Sequence, residues 1–393
     1  METVDAIVIG GGAAGLMCAA TAGARGRRVV VLEHAEAIGK KILISGGGRC
    51  NFTNRDVAPE RFVSANPDFA RSALARFTPE DFLALVEKHR IPWYEKTLGQ
   101  LFCEGAGSAR RIVALLADEC AAGGVDIRTG CAVTAIRRAD RFTVDTSQGS
   151  FEAPCVVLAT GGPSIPKLGA TDFAYRLAAQ FGLPIVEPAP ALVPLTFAPA
   201  DLDWMAPLSG VALDATAAAG GARFREAMLF THRGLSGPAI LQASTYWRRG
   251  AALTLDLAPG VDLAADLRVA KRTRPRAFLR TALASHVPQR FADHLAALFG
   301  TDAILAARRD ADLDAIAAAL HAFTLTPVGD EGWAKAEVAR GGVDTRALSS
   351  RTLGARNVPG LFVIGEAVDV TGWLGGYNFQ WAWASGRAAG EAL

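Results

Sequence analysis

Two hydrophobic periods alternate along this chain, and the switches between them mark its elements. Val4 to Ile9 is a short unbroken apolar run of strand character, Leu16 to Ala24 an Ala-rich helical segment, and Arg28 to Glu33 a second apolar strand that ends in an acid. Thr78-Pro79-Glu80-Asp81 has the cap hydroxyl, first-turn proline and acids of a helix start. Trp93 to Cys103 reads as a hairpin around Leu98-Gly99, and a helix capped by Ser108 runs towards Ala122. Val125 to Arg128, Cys131 to Arg137, Phe142 to Asp145 and Cys155 to Ala159 are strand-like.

A proline-rich stretch, Leu183 to Pro199, then breaks the pattern. Strand-like segments follow at Val193 to Phe197, Gly210 to Ala217, Ala222 to Phe230 and Ala252 to Leu257. Helical ones come after them, including Arg290 to Phe299 and Asp312 to Phe323. Gly360 to Glu366 is again a strand ending in Gly-acid, and Trp381 to Ala392 a helix. The prolines read as the crossing from an α/β domain, residues 1–190, into an inserted β-rich plus helical domain at 191–324, with residues 325–393 following it.

The first turn carries chemistry. Gly10-Gly11-Gly12-Ala13-Ala14-Gly15 satisfies Gly-x-Gly-x-x-Gly between strand and helix, and Glu33 ends the next strand. That order and span make a dinucleotide-binding βαβ unit. Gly10 serves the tight turn, Gly12 admits a pyrophosphate close to the backbone, and Gly15 allows close helix–strand packing. The anion sits over the N–H groups of Ala13 and Ala14 at the helix N-terminus, and Glu33 accepts the adenosine ribose hydroxyls.

After Glu33 comes a glycine-rich cationic loop, Ile38 to Asn54. Lys41, Gly47, Arg49, Cys50 and Asn51 offer a polyoxygenated cofactor charge, backbone N–H groups and an amide. Gly39 to Asn54 resembles the signature of the BaiN-like (YhiN-type, aminoacetone-oxidase-like) bacterial flavoproteins of the glutathione-reductase-type FAD superfamily. The resemblance implies a Rossmann-like FAD-binding domain with an inserted substrate-side domain, and FAD as cofactor. By the same resemblance Ala132 and Val133 contact the adenine, and Ala159-Thr160-Gly161 packs beside the pyrophosphate. Gly365 and Glu366 meet the ribityl chain. Gly375-Gly376-Tyr377-Asn378 opens the last helix towards the pyrimidine edge of the flavin, where its dipole stabilises negative charge. One departure stands out: Gly169 to Ala174 lacks the glycines that the family tends to have after that second turn.

Composition removes other readings. Half the residues are hydrophobic, with 41 basic and 39 acidic side chains, so no global field points to nucleic acid or an anionic membrane. The apolar stretch from Ala6 to Gly23 carries five glycines and no basic segment before it, so it is neither signal peptide nor membrane span. A cytoplasmic location is expected. The six cysteines show neither metal-ligand nor Cys-x-x-Cys spacing, so no metal is expected. Cys50 reads as a small side chain in a tight loop rather than as a reactive thiol.

The expected function is hydride transfer between flavin N5 and a small organic substrate, by reduction of an enone-like C=C bond or oxidation of an amine. If NAD(P)H is the reductant it binds transiently, because no second βαβ unit exists. His232, within Phe230 to Pro238, is the candidate acid–base, with a turn-stabilising role as its alternative. Arg268 to Arg280 holds six basic residues and no acid. A solvated patch without a nucleic-acid partner is the preferred reading, and an RNA-modifying flavoenzyme the alternative. A flavin-loaded sensing protein without turnover is the third. Oligomeric state is not legible.

Overall fold

The computed structural model describes residues 1–300 and 303–393. They form two compact units: Met1–Ala189 with Val338–Leu393, and Pro190–Glu337. The return to the first unit comes at Val338 rather than at 325, because Phe323–Leu325 and Gly329–Asp330 still add strands to the second unit's sheet.

The first unit is built on a five-stranded parallel sheet of Ala6–Ile9 (β1), Val29–Leu32 (β2), Asp126–Arg128 (β3), Cys155–Leu158 (β4) and Leu361–Val363 (β5), in the order β5-β4-β1-β2-β3. All four residues of β1 and of β2 are buried, which is why they read as unbroken apolar runs rather than as alternation. The helix Ala13–Ala24 (α1) is apolar on nearly every side and correspondingly buried. It packs against the helix Tyr377–Ala392, where an added Cβ on Gly386 would lie 2.5 Å from the Ala14 carbonyl oxygen and one on Gly390 2.6 Å from that of Cys18.

Two local expectations change. The stretch read as a loop after Glu33 opens as a helix, Lys40–Gly48 (α2), broken where Ser45 is extended and Gly46 and Gly47 are left-handed. Ser108 precedes its helix with helical φ/ψ and makes no cap bond; its hydroxyl is buried without a partner among the described residues. The Thr78 start does form a full capping box with Asp81.

Tyr377–Ala392 is hereafter α3. Its Trp383 is fully buried, stacked on Phe82 at 4.3 Å and 8°, and its indole Nε1 donates to the Phe52 carbonyl at 2.8 Å. Burying an indole of roughly 150–250 Å² is worth about 4–6 kcal/mol at about 25 cal/mol per Å². That contact fastens the strand Asn51–Asn54 to the helix.

The second unit is a seven-stranded antiparallel sheet with helices. Its central hairpin, Ala212–Ala219 with Ala222–Thr231, alternates buried Leu213, Ala215, Ala217 and Phe224, Met228, Phe230 with more exposed neighbours.

Candidate functional site

The glycine turn is shaped by its contacts. Gly10 has φ +114°, and a Cβ there would lie 2.6 Å from the Ala159 carbonyl oxygen; one on Gly15 would lie 2.0 Å from the Gly10 oxygen. Neither position tolerates a side chain, whereas a Cβ on Gly12 would meet open space. α1 begins after Gly12 with no side-chain cap and no acid in its first turn, so its dipole end is left for an external anion. The Glu33 carboxylate does more than the sequence showed: it accepts the N–H of Gly11 at 2.8 Å and of Ala35 at 2.8 Å, tying the turn to the end of β2. His34 Nδ1 lies 3.1 Å from the same group. A carboxylate has about four acceptor sites, so acceptor capacity is left over beyond these neighbours.

Beside α1 a polar cluster joins four separate segments. Lys41 Nζ donates to Glu366 Oε2 at 2.5 Å and to Ser164 Oγ at 2.6 Å. Ser164 Oγ and the Ala339 N–H donate to Glu366 Oε1 at 2.8 and 2.9 Å. Gly365 is held over the start of α1: its N–H donates to Ser385 Oγ at 3.0 Å, its carbonyl accepts Trp381 Nε1 at 3.0 Å, and a Cβ on it would lie 2.8 Å from Ala14 Cβ. At the end of β4 the buried hydroxyls of Thr160 and Tyr175 have no hydrogen-bond partner among the described residues. The Tyr175 oxygen lies against Gly162. Burial, then nearby Glu366, pushes that phenol above its ordinary value, so it stays protonated and can donate.

The N-terminus of α3 forms the other end. Gly376 is left-handed with φ +97°, and a Cβ there would collide with the Thr53 backbone at 2.4 Å. Asn54 Nδ2 donates to the Gly375 carbonyl at 2.9 Å, Thr53 Oγ1 to Gln380 Oε1 at 2.7 Å, and Asn378 Oδ1 accepts the Gly372 N–H at 2.8 Å. Arg61 Nη1 donates to the Tyr377 hydroxyl at 2.5 Å, and the guanidinium lies over the rings of Trp373 and Tyr377. The Asn51 amide Nδ2 donates to the carbonyls of Leu101 and Thr53, both at 3.1 Å, and its Oδ1 accepts the Gly376 N–H at 3.2 Å. Gly47 is exposed with open space at its Cβ, and Arg49, also exposed, lies over the Phe102 ring at 5.8 Å.

Other candidates fall differently. Cys50 is fully enclosed at φ +48°, and burial pushes its thiol up, so it packs the loop as a protonated group. Ala132 has already spent its N–H on Ser147 Oγ at 3.0 Å, which leaves its main chain no donor for an adenine; Val133 follows in the strand Val133–Arg138. His232 sits exposed in the hairpin turn between Ala222–Thr231 and Gly234–Ser236 in the second unit. Ser164, Tyr175 and Arg61 were not legible in advance; each reaches the site by tertiary contact and carries no motif of its own.

A helix N-terminus open to an anion, a carboxylate at the end of β2 and two orphaned buried hydroxyls suit the phosphates and polyol of FAD. The HI0933-like protein Rossmann domain family matches residues 4–392. The chain belongs to that family. As an HI0933-like protein it is an FAD-dependent oxidoreductase. It is 48% identical over 396 residues to the ribosomal RNA dihydrouridine synthase of Escherichia coli (strain K12), covering 100% of this chain and 98% of that one. It is 32% identical over 406 residues to the 3-dehydro-bile acid delta(4,6)-reductase of Clostridium scindens, covering 98% of each. The apo Sdh1 complex of Mycobacterium smegmatis shares the fold at a TM-score of 0.50 and 17% identity, over 99% of this chain and 68% of that one. Among the described residues of this HI0933-like protein no helix is long and apolar enough to cross a membrane.

Proposed function

We propose that this protein reduces uracil in ribosomal RNA, adding two electrons and two protons across C5=C6 to give dihydrouridine. The observation that carries the reading is the whole-chain identity of 48% to the Escherichia coli ribosomal RNA dihydrouridine synthase. The names of that enzyme and of the bile acid reductase both describe saturation of a C=C bond conjugated to a carbonyl group, so one hydride chemistry serves either substrate.

FAD, when bound, supplies hydride chemistry. The chain's own residues bind and orient it. The N–H groups at the start of α1 take the pyrophosphate and Glu33 the ribose. Lys41, Glu366, Thr160 and Tyr175 supply charge and hydrogen bonds to phosphate and ribityl oxygens. The N-terminus of α3, held by Asn54, Thr53 and Asn378, offers its partial positive charge to the pyrimidine edge of the ring system. NAD(P)H is the donor class in this reading, bound transiently. His232 is its candidate proton donor to the second carbon.

The test incubates the flavin-loaded protein with protein-free Escherichia coli ribosomal RNA and NADPH or NADH, then measures dihydrouridine by nucleoside mass spectrometry. Dihydrouridine that depends on both flavin and donor is the expected result. The bile acid relative favours a second reading, reduction of a small enone. RNA left unmodified while a 3-oxo-4,6-dienoic bile acid is reduced would establish that one instead.

A further inference from the structure

We propose that the turn joining helices Leu263–Thr273 and Leu279–Leu283 in the second unit is a docking surface for unpaired RNA; the proposal rests on the RNA reading above. The fold sorts the six basic residues of Arg268 to Arg280 into different roles. Arg268 is bidentate to Asp314 at 3.0 and 3.1 Å, and Lys271 pairs with Asp310 at 2.7 Å, so both fasten their helix to the helix Asp310–His321. The side chains of Arg272, Arg274 and Arg276 are exposed and make no hydrogen bond or ion pair to any described residue.

The backbone that carries them is fixed. Ala277 N–H donates to the Arg274 carbonyl at 2.9 Å, Ala306 N–H to that of Pro275 at 2.9 Å, and Leu305 N–H to that of Ala277 at 2.8 Å. Phe278 and Ile304 form an antiparallel bridge. Phe278 is nevertheless 39% exposed, with the Arg280 guanidinium over its ring at 5.1 Å, and its bridge partner Ile304 is exposed too.

A solvated basic face ordinarily mixes its charges with acids and keeps its aromatics inside. This turn has spent Asp314 and Asp310 on hydrogen bonds to Arg268 and Lys271, and it presents an exposed aromatic ring, on a backbone fixed by hydrogen bonds, in a run where three arginine side chains make no hydrogen bond or ion pair to a described residue. Arginines hold phosphates, while an exposed ring and a guanidinium plane stack unpaired bases. An acidic peptide would use the charges but not the ring, and a duplex offers no free base to it. The occupant is therefore a loop or single strand of RNA.

The experiment uses the flavin-loaded full chain and fluorescence anisotropy, with a labelled 20-nucleotide oligouridine and an RNA duplex of equal length, across a KCl series. Replacing Arg272, Arg274 and Arg276 together by Gln should weaken oligouridine binding at least about tenfold at low salt. It should also reduce the slope of log Kd against log salt by about 2, from roughly 0.7 per single-strand phosphate. Phe278→Ala should weaken oligouridine binding about 5- to 150-fold, from the typical loss of one stacked base, and leave duplex binding unchanged. A charge-matched control, Arg25, Arg27 and Arg28 to Gln in the first unit, should change binding little. Equal weakening by both triple variants would overturn the proposal, because only net charge would be acting. Wild-type dihydrouridine formation and RNA binding that survive both the triple variant and Phe278→Ala would overturn this surface alone. Wild type that neither binds nor modifies RNA would overturn the function reading with it.

Discussion

Gly386→Ala tests how tightly the first unit closes on itself. The added methyl would lie 2.5 Å from the Ala14 carbonyl oxygen and 3.1 Å from Met17 Cβ. The first contact is to backbone, so no side chain can swing aside; α3 or α1 must move by several tenths of an ångström. Overpacking of this kind costs about 1–3 kcal/mol, and a backbone obstacle puts the cost near the upper end. Alanine returns about 1 kcal/mol through helix propensity. The net expectation is about 2 kcal/mol of destabilisation, or a Tm lowered by about 4–8 °C. Gly365, which Ser385 and Trp381 hold over Ala14, moves with α3, so the variant should also retain FAD less well. Thermal melts with and without added FAD, followed by flavin fluorescence, measure both effects. An unchanged or raised Tm would mean that helix propensity wins and that the two helices are not in backbone contact.

Lys41→Met leaves Glu366 with only neutral donors; for a pair whose lysine is 36% exposed, a loss of about 1–2 kcal/mol is expected, a five- to thirtyfold rise in the Kd for FAD by titration. Unaltered affinity would remove Lys41 from the cofactor site. Asp344, held below the usual carboxylate range by Arg346, opposed by burial, contributes stability that is present above the unfolded value of about 3.9 and is lost as pH falls through the lower folded value. Asp344→Asn should therefore cost about 1 kcal/mol at pH 7, the exposed Arg346 limiting the gain, with the gap closing below about pH 4 in urea melts. A gap that stays constant with pH would contradict that account. His232→Asn should lower turnover about 10²- to 10⁴-fold while FAD remains bound; an unchanged pH–rate profile would retire it as an acid–base.

The parts of the fold legible in advance were those written in local pattern. β1, the glycine turn, α1 and β2 follow from a contiguous stretch. The broken helix α2 was not readable, since Ser45 to Gly48 has the composition of a loop while Lys40 to Ile44 take helical geometry ahead of it. In the site, Glu33 was expected as a ribose acceptor but was not legible as the clamp on Gly11, because that bond depends on how the turn folds back across β2. Ser164 and Tyr175 became visible only when β4 and the following segment brought them beside Glu366. A hydroxyl without a motif gives the sequence nothing to recognise.

The division of the first unit has a consequence for biosynthesis. Gly365, Glu366 and all of α3 emerge from the ribosome only after the entire span Pro190–Glu337 has been translated. Until then the nascent polypeptide exposes the apolar flank of α1 that Gly386 and Gly390 later cover, and it lacks Glu366 opposite Lys41. The second unit can thus acquire its structure early, whereas loading with the vitamin-derived prosthetic group waits until α3 has been made.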